Sequence, residues 1–436
     1  MNSWTQQKGY PVVSVEVKDQ NLKFEQTQFL SSGSQGNGEW IVPITSCCGS
    51  YDVRKGFLLK TKSEILDIKE FLGCSIAETE SGSSCNKNNT VCSWIKINVD
   101  QAGFYRVKYD EQLAATLRNA IQNKYLSATD KFGILDDSYA LSMARQLSFA
   151  SLLTLLAAYK EELDYTVLSN LISISRKLAR IAADAVPKLL DVINQFFIGL
   201  LQYSAEKVFF RPLKSESLVG SPNPPTINEA SRRFHAYLDD RTTPLLPPDI
   251  RKAAYVAVMQ RVTQSNRAGY DSLLRVYRES DQSEERNRVL GSLVSCPDPD
   301  IILEVLNFLL TSEIILSLMP INIGPQPGCY IWTFAVSSNR RETAWTWLKD
   351  NWVQISKTWG SGFLITRFVS AIVSPLASFE KVKEVEEFFK AHPNPAITRT
   401  LKQSIEHVQI NAKWIQSVQG EKDLPKVLKE LPSSKY

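Results

Sequence analysis

The chain has 436 residues, of which 43% are hydrophobic and 22% charged, with a formal net charge of +4. That length exceeds one ordinary hydrophobic core and implies two or more packed units, while the composition excludes a disordered chain. The basic pairs Arg176-Lys177, Arg232-Arg233, Arg251-Lys252 and Arg340-Arg341 sit inside helical patterns and read as solvated faces, so no concentrated basic surface for nucleic acid is expected.

The opening MNSWTQQKGYPVVSV has no apolar signal core, and no secretory signal is expected. Residues 10–17, 22–29, 40–47 and 53–61 are short runs rich in Val, Ile, Phe and Tyr. Ser/Gly-rich residues 31–38 form a turn between two of them. Strands at this spacing, without helical periodicity, predict a small antiparallel sandwich over residues 1–98. Cys47, Cys48, Cys74, Cys85 and Cys92 cluster here. They suggest a zinc or disulfide site, but the spacing fits no finger pattern, and reduced structural thiols are the simpler reading. Polar residues 78–89 read as a mobile loop, and the sequon at Asn88 as idle.

Residues 94–110 (WIKINVDQAGFYRVKYD) predict a β-hairpin: two alternating runs about an Asp-Gln-Ala-Gly turn, with Gly103 free to take a positive φ. Asp110 is placed to cap the helix that follows. From Glu111 the apolar period becomes helical. Asp184 is expected to cap a helix with Pro187 in its first turn, followed by a stripe from Val186 through Phe196 to Leu201. Helix starts are also marked by Pro248-Asp249 and by Asp298, and a second stripe runs from Ile397 through Val408 to Ile415. Two segments break the rhythm, 208–227 with its prolines and 314–339 with Pro320, Gly324, Pro325 and Pro327. The apolar tracts at 185–201 and 301–318 carry too many polar residues for a transmembrane segment. The resulting expectation is an α+β multidomain chain: a small antiparallel β-sandwich (1–98) followed by a large all-α HEAT-like solenoid (99–436), interrupted by irregular segments 208–227 and 314–339.

Residues 98–110 (NVDQAGFYRVKYD) resemble the N-x-N-Q-x-G-Y/F-Y-R-V-x-Y-D signature of M1 zinc aminopeptidases, which in that family joins a β-sandwich to a helical domain. Residues 130–146 (DKFGILDDSYALSMARQ) resemble the family's next helix, with Lys131 where Arg is usual. The likeness continues through residues 251–259, 342–352, 360–375 and 399–418, and is strongest to the plant and puromycin-sensitive branch. The two irregular segments are where the sequence departs from the family.

The family's reaction uses a His-Glu-x-x-His helix, a downstream Glu and a Gly-x-Met-Glu-Asn loop, all upstream of the sandwich. His235, His392 and His407 do not form such a pair, which needs two imidazoles one helical turn apart facing one metal. The resemblance therefore implies the peptide-sheltering C-terminal portion of a metalloaminopeptidase. Zinc belongs to full-length members, and no cofactor, catalytic residue or metal ligand is expected in this chain. The expected partners are peptides, a full-length aminopeptidase or a second copy of the chain. The expected location is cytoplasmic, with peripheral membrane association left open. A non-catalytic helical-repeat module that binds peptides or proteins is the alternative. Arg367, a lone base in the apolar tract GFLITRFV, is the candidate peptide-binding residue. Asp136-Asp137 read as structural, because adjacent helix positions point about 100° apart. His407 reads as an edge residue, and Trp345, Trp347 and Trp352 as core or helix-seam aromatics.

Overall fold

The computed structural model describes residues 2–34, 36–73, 75–76, 91–209, 224–311, 313, 338–360 and 363–431. The loop expected at 78–89, Cys74, Cys85, and most of the segments 208–227 and 314–339 lie outside the described residues. Packing divides the chain into two compact units: Met1–Ser175 with Gly420–Lys435, and Arg176–Gln419.

In the first unit, after a short helix α1 (Asn2–Thr5), β1 (Tyr10–Lys18) and β2 (Asn21–Phe29) form an antiparallel hairpin. Its two-residue turn places Asp19 and Gln20 at φ 48° and 63°, the doubly left-handed geometry that matches strand twist. Next come β3 (Val42–Cys48), β4 (Ser50–Leu59), β5 (Ser63–Asp67), α2 (Ile68–Leu72), and the short parallel pair β6 (Ser75–Ile76) and β7 (Val91–Cys92). With β8 (Ile95–Ile97) and β9 (Arg106–Tyr109), the main sheets have strand orders β5-β2-β1-β9 and β4-β3-β8. Val13, Val15, Phe24, Trp40, Val42, Ile44, Ile95, Ile97 and Val107 form one buried cluster, which is why the alternating patterns of both sheets were readable as strands.

The expected hairpin at 94–110 is not one. β8 pairs antiparallel with β3, whereas β9 pairs parallel with β1, from Val12↔Arg106 to Val15↔Tyr109. The segment crosses between sheets, so the larger sheet is mixed rather than purely antiparallel. Alternation about a turn reports exposure, not which strand is the neighbour. Of the clustered cysteines, Cys48 and Cys92 are disulfide-bonded rather than reduced, with Cα atoms 5.7 Å apart, while Cys47 is free and buried.

Asp110 caps α3 (Glu111–Gln122) as expected, its carboxylate accepting from Leu113 N. Ser127 caps α4 (Ala128–Met143), and Ser148 caps α5 (Phe149–Ala157). Glu421 returns late in the chain to accept from Phe149 N at 2.6 Å and Ala150 N at 3.0 Å, adding a charged cap to α5.

Helix α6 (Tyr165–Ala185) continues into the second unit, which contains α7 (Leu190–Phe209), α8 (Pro224–Asp239), α9 (Pro248–Met259), α10 (Ala268–Glu279), α11 (Ser283–Leu293) and α12 (Pro299–Leu309). Its later helices are α13 (Ser338–Asp350), α14 (Trp352–Trp359), α15 (Phe363–Val373), α16 (Phe379–Ala391) and α17 (Thr398–Gln419). A last helix, α18 (Leu424–Glu430), packs on α5 in the first unit. At the edges of the expected irregular segments, Phe209, Pro224 and Ser338 are helical. Prolines are tolerated in the first turn of α8 because those N–H groups have no intrahelical acceptor.

Asp184 does not cap the helix at Pro187. It lies in α6, and both of its carboxylate oxygens accept from the same Arg341 Nη2 at 2.6 Å. Arg340 and Arg341 are accordingly buried rather than on a solvated face, Arg341 also donating to Pro375 O at 3.2 Å. Trp345 and Trp347 are buried at helix seams, donating to Glu384 and Asn307 at 2.7 Å each. Glu285 is buried between helices, accepting from Tyr255 OH at 2.5 Å and pairing with Arg251 at 3.0 Å.

Candidate functional site

The densest constellation of buried charge in the first unit lies where β8 and β9 meet α4. Lys96, 1% exposed, stands between Ile95 and Ile97 on a strand whose flanking residues are buried on both faces. Its ammonium lies 3.2 Å from Asp130 Oδ1 and donates to Ile97 O at 2.6 Å and Asn98 O at 2.8 Å. Asp130, fully buried in the first turn of α4, also accepts from Asp100 N at 2.9 Å and Tyr51 OH at 2.7 Å. Burial lowers the Lys96 pKa, and the adjacent Asp130 charge pulls in the opposite direction.

The turn that carries this pair is strained. Asn98, Asp100 and Gln101 have φ of 58°, 55° and 54°, a region costly for residues other than glycine. Gly103 does not take the positive φ expected of it. Its missing Cβ instead makes room for the Tyr105 ring and for Asn98 Oδ1. Asn98 is fully buried and holds the turn from inside, Nδ2 donating to Gly103 O at 3.0 Å and Tyr105 O at 3.1 Å while Oδ1 accepts from Gly103 N at 2.8 Å. Arg54 pairs with Asp100 from outside at 2.6 Å. Gly133 of α4 leaves the space occupied by the Gln101 amide.

Beyond the turn, Arg106 donates through one nitrogen to Asp136 at 2.7 Å and Asp137 at 3.0 Å, and through Nε to Tyr10 OH at 3.0 Å. Asp137 Oδ2 accepts from Val107 N at 3.0 Å. The two carboxylates thus converge on one guanidinium and clamp β9 to α4, a structural role. Burial pushes the Asp137 carboxyl up to about 6 despite those donors. Tyr109 OH accepts from Ile97 N at 2.9 Å and donates to Ile97 O at 3.1 Å, tying β9 to β8.

Chemically, this arrangement positions backbone rather than activating a reagent. Its charged groups are occupied by one another, and burial pushes the neighbouring Cys47 thiol up to about 12, leaving it protonated. Sequence reasoning missed the Lys96–Asp130 pair because strand alternation assigned Lys96 to a solvated face. One signal was present: Asp130 and Asp137 are seven residues apart, within about 20° on a helix, and so mark one acidic stripe facing the strands.

The other candidates lie apart from this network. Arg367 is half-buried on α15 in the second unit. His235, His392 and His407 are exposed on α8, after α16 and on α17. Among the described residues no group of three or more His, Cys, Asp or Glu is placed to hold a metal ion. Among the same residues no helix is long and apolar enough to cross a membrane.

A strand pair from two sheets and a strained turn locked by buried charge mark where the β region passes into the helices that follow. Residues 94–410 match the family model described as the ERAP1-like C-terminal domain, and the chain belongs to that family. It is 57% identical to Aminopeptidase M1 of Arabidopsis thaliana, over 100% of this chain and 49% of that protein. Identity to Aminopeptidase M1-B of Oryza sativa subsp. japonica is 47%, over 99% of this chain and 49% of the relative. To Endoplasmic reticulum aminopeptidase 1 of Mus musculus it is 24%, over 95% and 43%. The chain thus spans about half the length of the plant relatives it matches.

Proposed function

We propose that this chain is the peptide-sheltering, non-catalytic portion of an M1-type metalloaminopeptidase, with peptides as its ligands and the cytoplasm as its location. The carrying observation is the joint itself: the residues of the family signature, Asn98, Gly103, Arg106, Tyr109 and Asp110, are those that lock β8, β9, α3 and α4 together. Such a joint fixes the angle at which the first helices leave the sandwich, which is what a cover over a peptide site requires. In the second unit α8 packs on α9, α9 and α10 on α11, α12 on α13, and α15 on α17. This neighbour-to-neighbour order supports a HEAT-like stack. Arg367 is proposed as a peptide contact on that stack.

Because His235, His392 and His407 do not form the paired imidazoles that the family's zinc helix uses, no hydrolytic step is assigned to this chain. The test is to assay the purified 436-residue protein on an aminoacyl chromogenic substrate while measuring bound zinc by elemental analysis. No turnover and no stoichiometric zinc are expected. Chelator-sensitive turnover with one zinc per chain would overturn the reading.

A further inference from the structure

Among the described residues no strand pairs with the outer sides of β4 and β5. β4 and β5 are the outer strands of their sheets and follow each other directly in the chain. β4 is ten residues long and exposed along most of its length. Val53, Leu58 and Ile65 on this side are 57%, 51% and 63% exposed. A long outer strand presents unpaired backbone N–H and C=O groups, a template for a further strand. Between residues 50 and 63 the bases are Arg54, Lys55, Lys60 and Lys62, and the acid is Asp52. Arg54 is engaged by Asp100. Lys55, Lys60 and Lys62 are exposed and form no ion pair among the described residues.

We propose that β4 is a docking edge for an extended acidic peptide segment of a partner, which adds a strand to the β4-β3-β8 sheet. Main-chain hydrogen bonds along the free side of β4 supply the ladder, as in other strand-addition complexes. Val53 and Leu58 take the partner's apolar side chains, and Lys55, Lys60 and Lys62 take its carboxylates. A second copy of this chain is the poorer occupant. Antiparallel pairing of β4 with itself, centred between Arg54 and Lys55, would set each of these bases opposite the other, and like charges so placed destabilise a strand pair. The site requires neither zinc nor the helical domain, so it stands independently of the function proposed above.

The test is fluorescence anisotropy of a fluorescein-labelled ten-residue peptide of alternating Val and Glu, titrated with the full chain. Saturable binding is expected, weakening between about 0.05 M and 1 M salt as the lysine–carboxylate attraction is screened. The same peptide N-methylated on one set of alternate amides should lose binding, while methylation of the other set should leave it, because one edge of a strand faces the ladder. The triple variant Lys55→Glu, Lys60→Glu, Lys62→Glu should bind at least about tenfold more weakly. Circular dichroism and the thermal midpoint check that these exposed substitutions leave the fold intact. Three results would each overturn the proposal: no binding by the unaltered protein, equal binding of both methylated peptides, or unchanged affinity in the triple variant. Absent peptide binding together with self-association of the triple variant by sedimentation would show that the lysines only keep sheet edges apart.

Discussion

Asp130→Asn is expected to loosen the joint more than any exposed substitution. The Lys96 ammonium and Asp130 carboxylate are 3.2 Å apart and essentially inaccessible to water. At an effective dielectric constant of about 20, their attraction is about 5 kcal/mol. Removing one member of a buried pair typically costs about 3–5 kcal/mol, because the remaining charge stays desolvated without its partner. Hydrogen exchange read by mass spectrometry on peptides spanning residues 94–110 reports opening of this segment. At about 1.4 kcal/mol per decade, protected amides there should exchange about 100 to 4,000 times faster. Combining Asp130→Asn with Lys96→Met should cost at least about 2 kcal/mol less than the sum of the two single changes. The variant's pH profile has a definite sign. Burial already places the folded Lys96 pKa below its ordinary 10.5, and losing Asp130 lowers it further. The folded state then sheds a proton before the unfolded state does, so stability of Asp130→Asn should rise from neutral pH toward about pH 10. A loss under about 1 kcal/mol, or coupling near zero between the two substitutions, would refute the ion-pair account.

Asn98→Ala removes three internal hydrogen bonds and leaves alanine at φ 58°, so a loss of about 3–5 kcal/mol is expected by chemical denaturation. Asn98→Gly should recover about 1 kcal/mol of it, and equal losses would remove backbone strain from the explanation. Asp184→Asn leaves the buried Arg341 guanidinium without its carboxylate partner and should destabilise the second unit by about 3 kcal/mol, with partial recovery when Arg341→Met is added. Asp137 gives a pH signature. Burial raises its folded pKa from the ordinary 3.8 to about 6, so the folded state holds the extra proton between those values. Its contribution is therefore fully present below about pH 4 and lost as pH rises through about 6, a fall of at most about 3 kcal/mol. Asp137→Asn should flatten that slope in denaturant titrations across the window.

Strands and caps were legible because they are local. Alternation marked β1 through β4 to within about three residues, and Asp110 was identified as a cap because its role depends on the three residues that follow. The joint was recognisable as a family signature, but its mechanism was not. Lys96 looked like a strand's wet face, Arg340 and Arg341 like a solvated pair, and Asp184 like a helix cap. Distant partners decide otherwise. Asp130 holds Lys96 inside, Pro375 O and Asp184 hold Arg341, and Arg341 in turn draws Asp184 away from any cap. None of these partners is closer than 34 positions in the chain, far beyond the reach of any local pattern.

The sequence by itself determined that strands come first and helices after, with the change near Asp110, and membership of a family whose relatives are about twice as long. Tertiary structure decided that β8 and β9 belong to different sheets, that Asn98 rather than Gly103 takes the left-handed turn, and that buried charges face each other across the joint. The physical reason is range. Periodicity and capping act over one or two turns of chain, whereas strand neighbours and charge partners are chosen when distant segments are desolvated together.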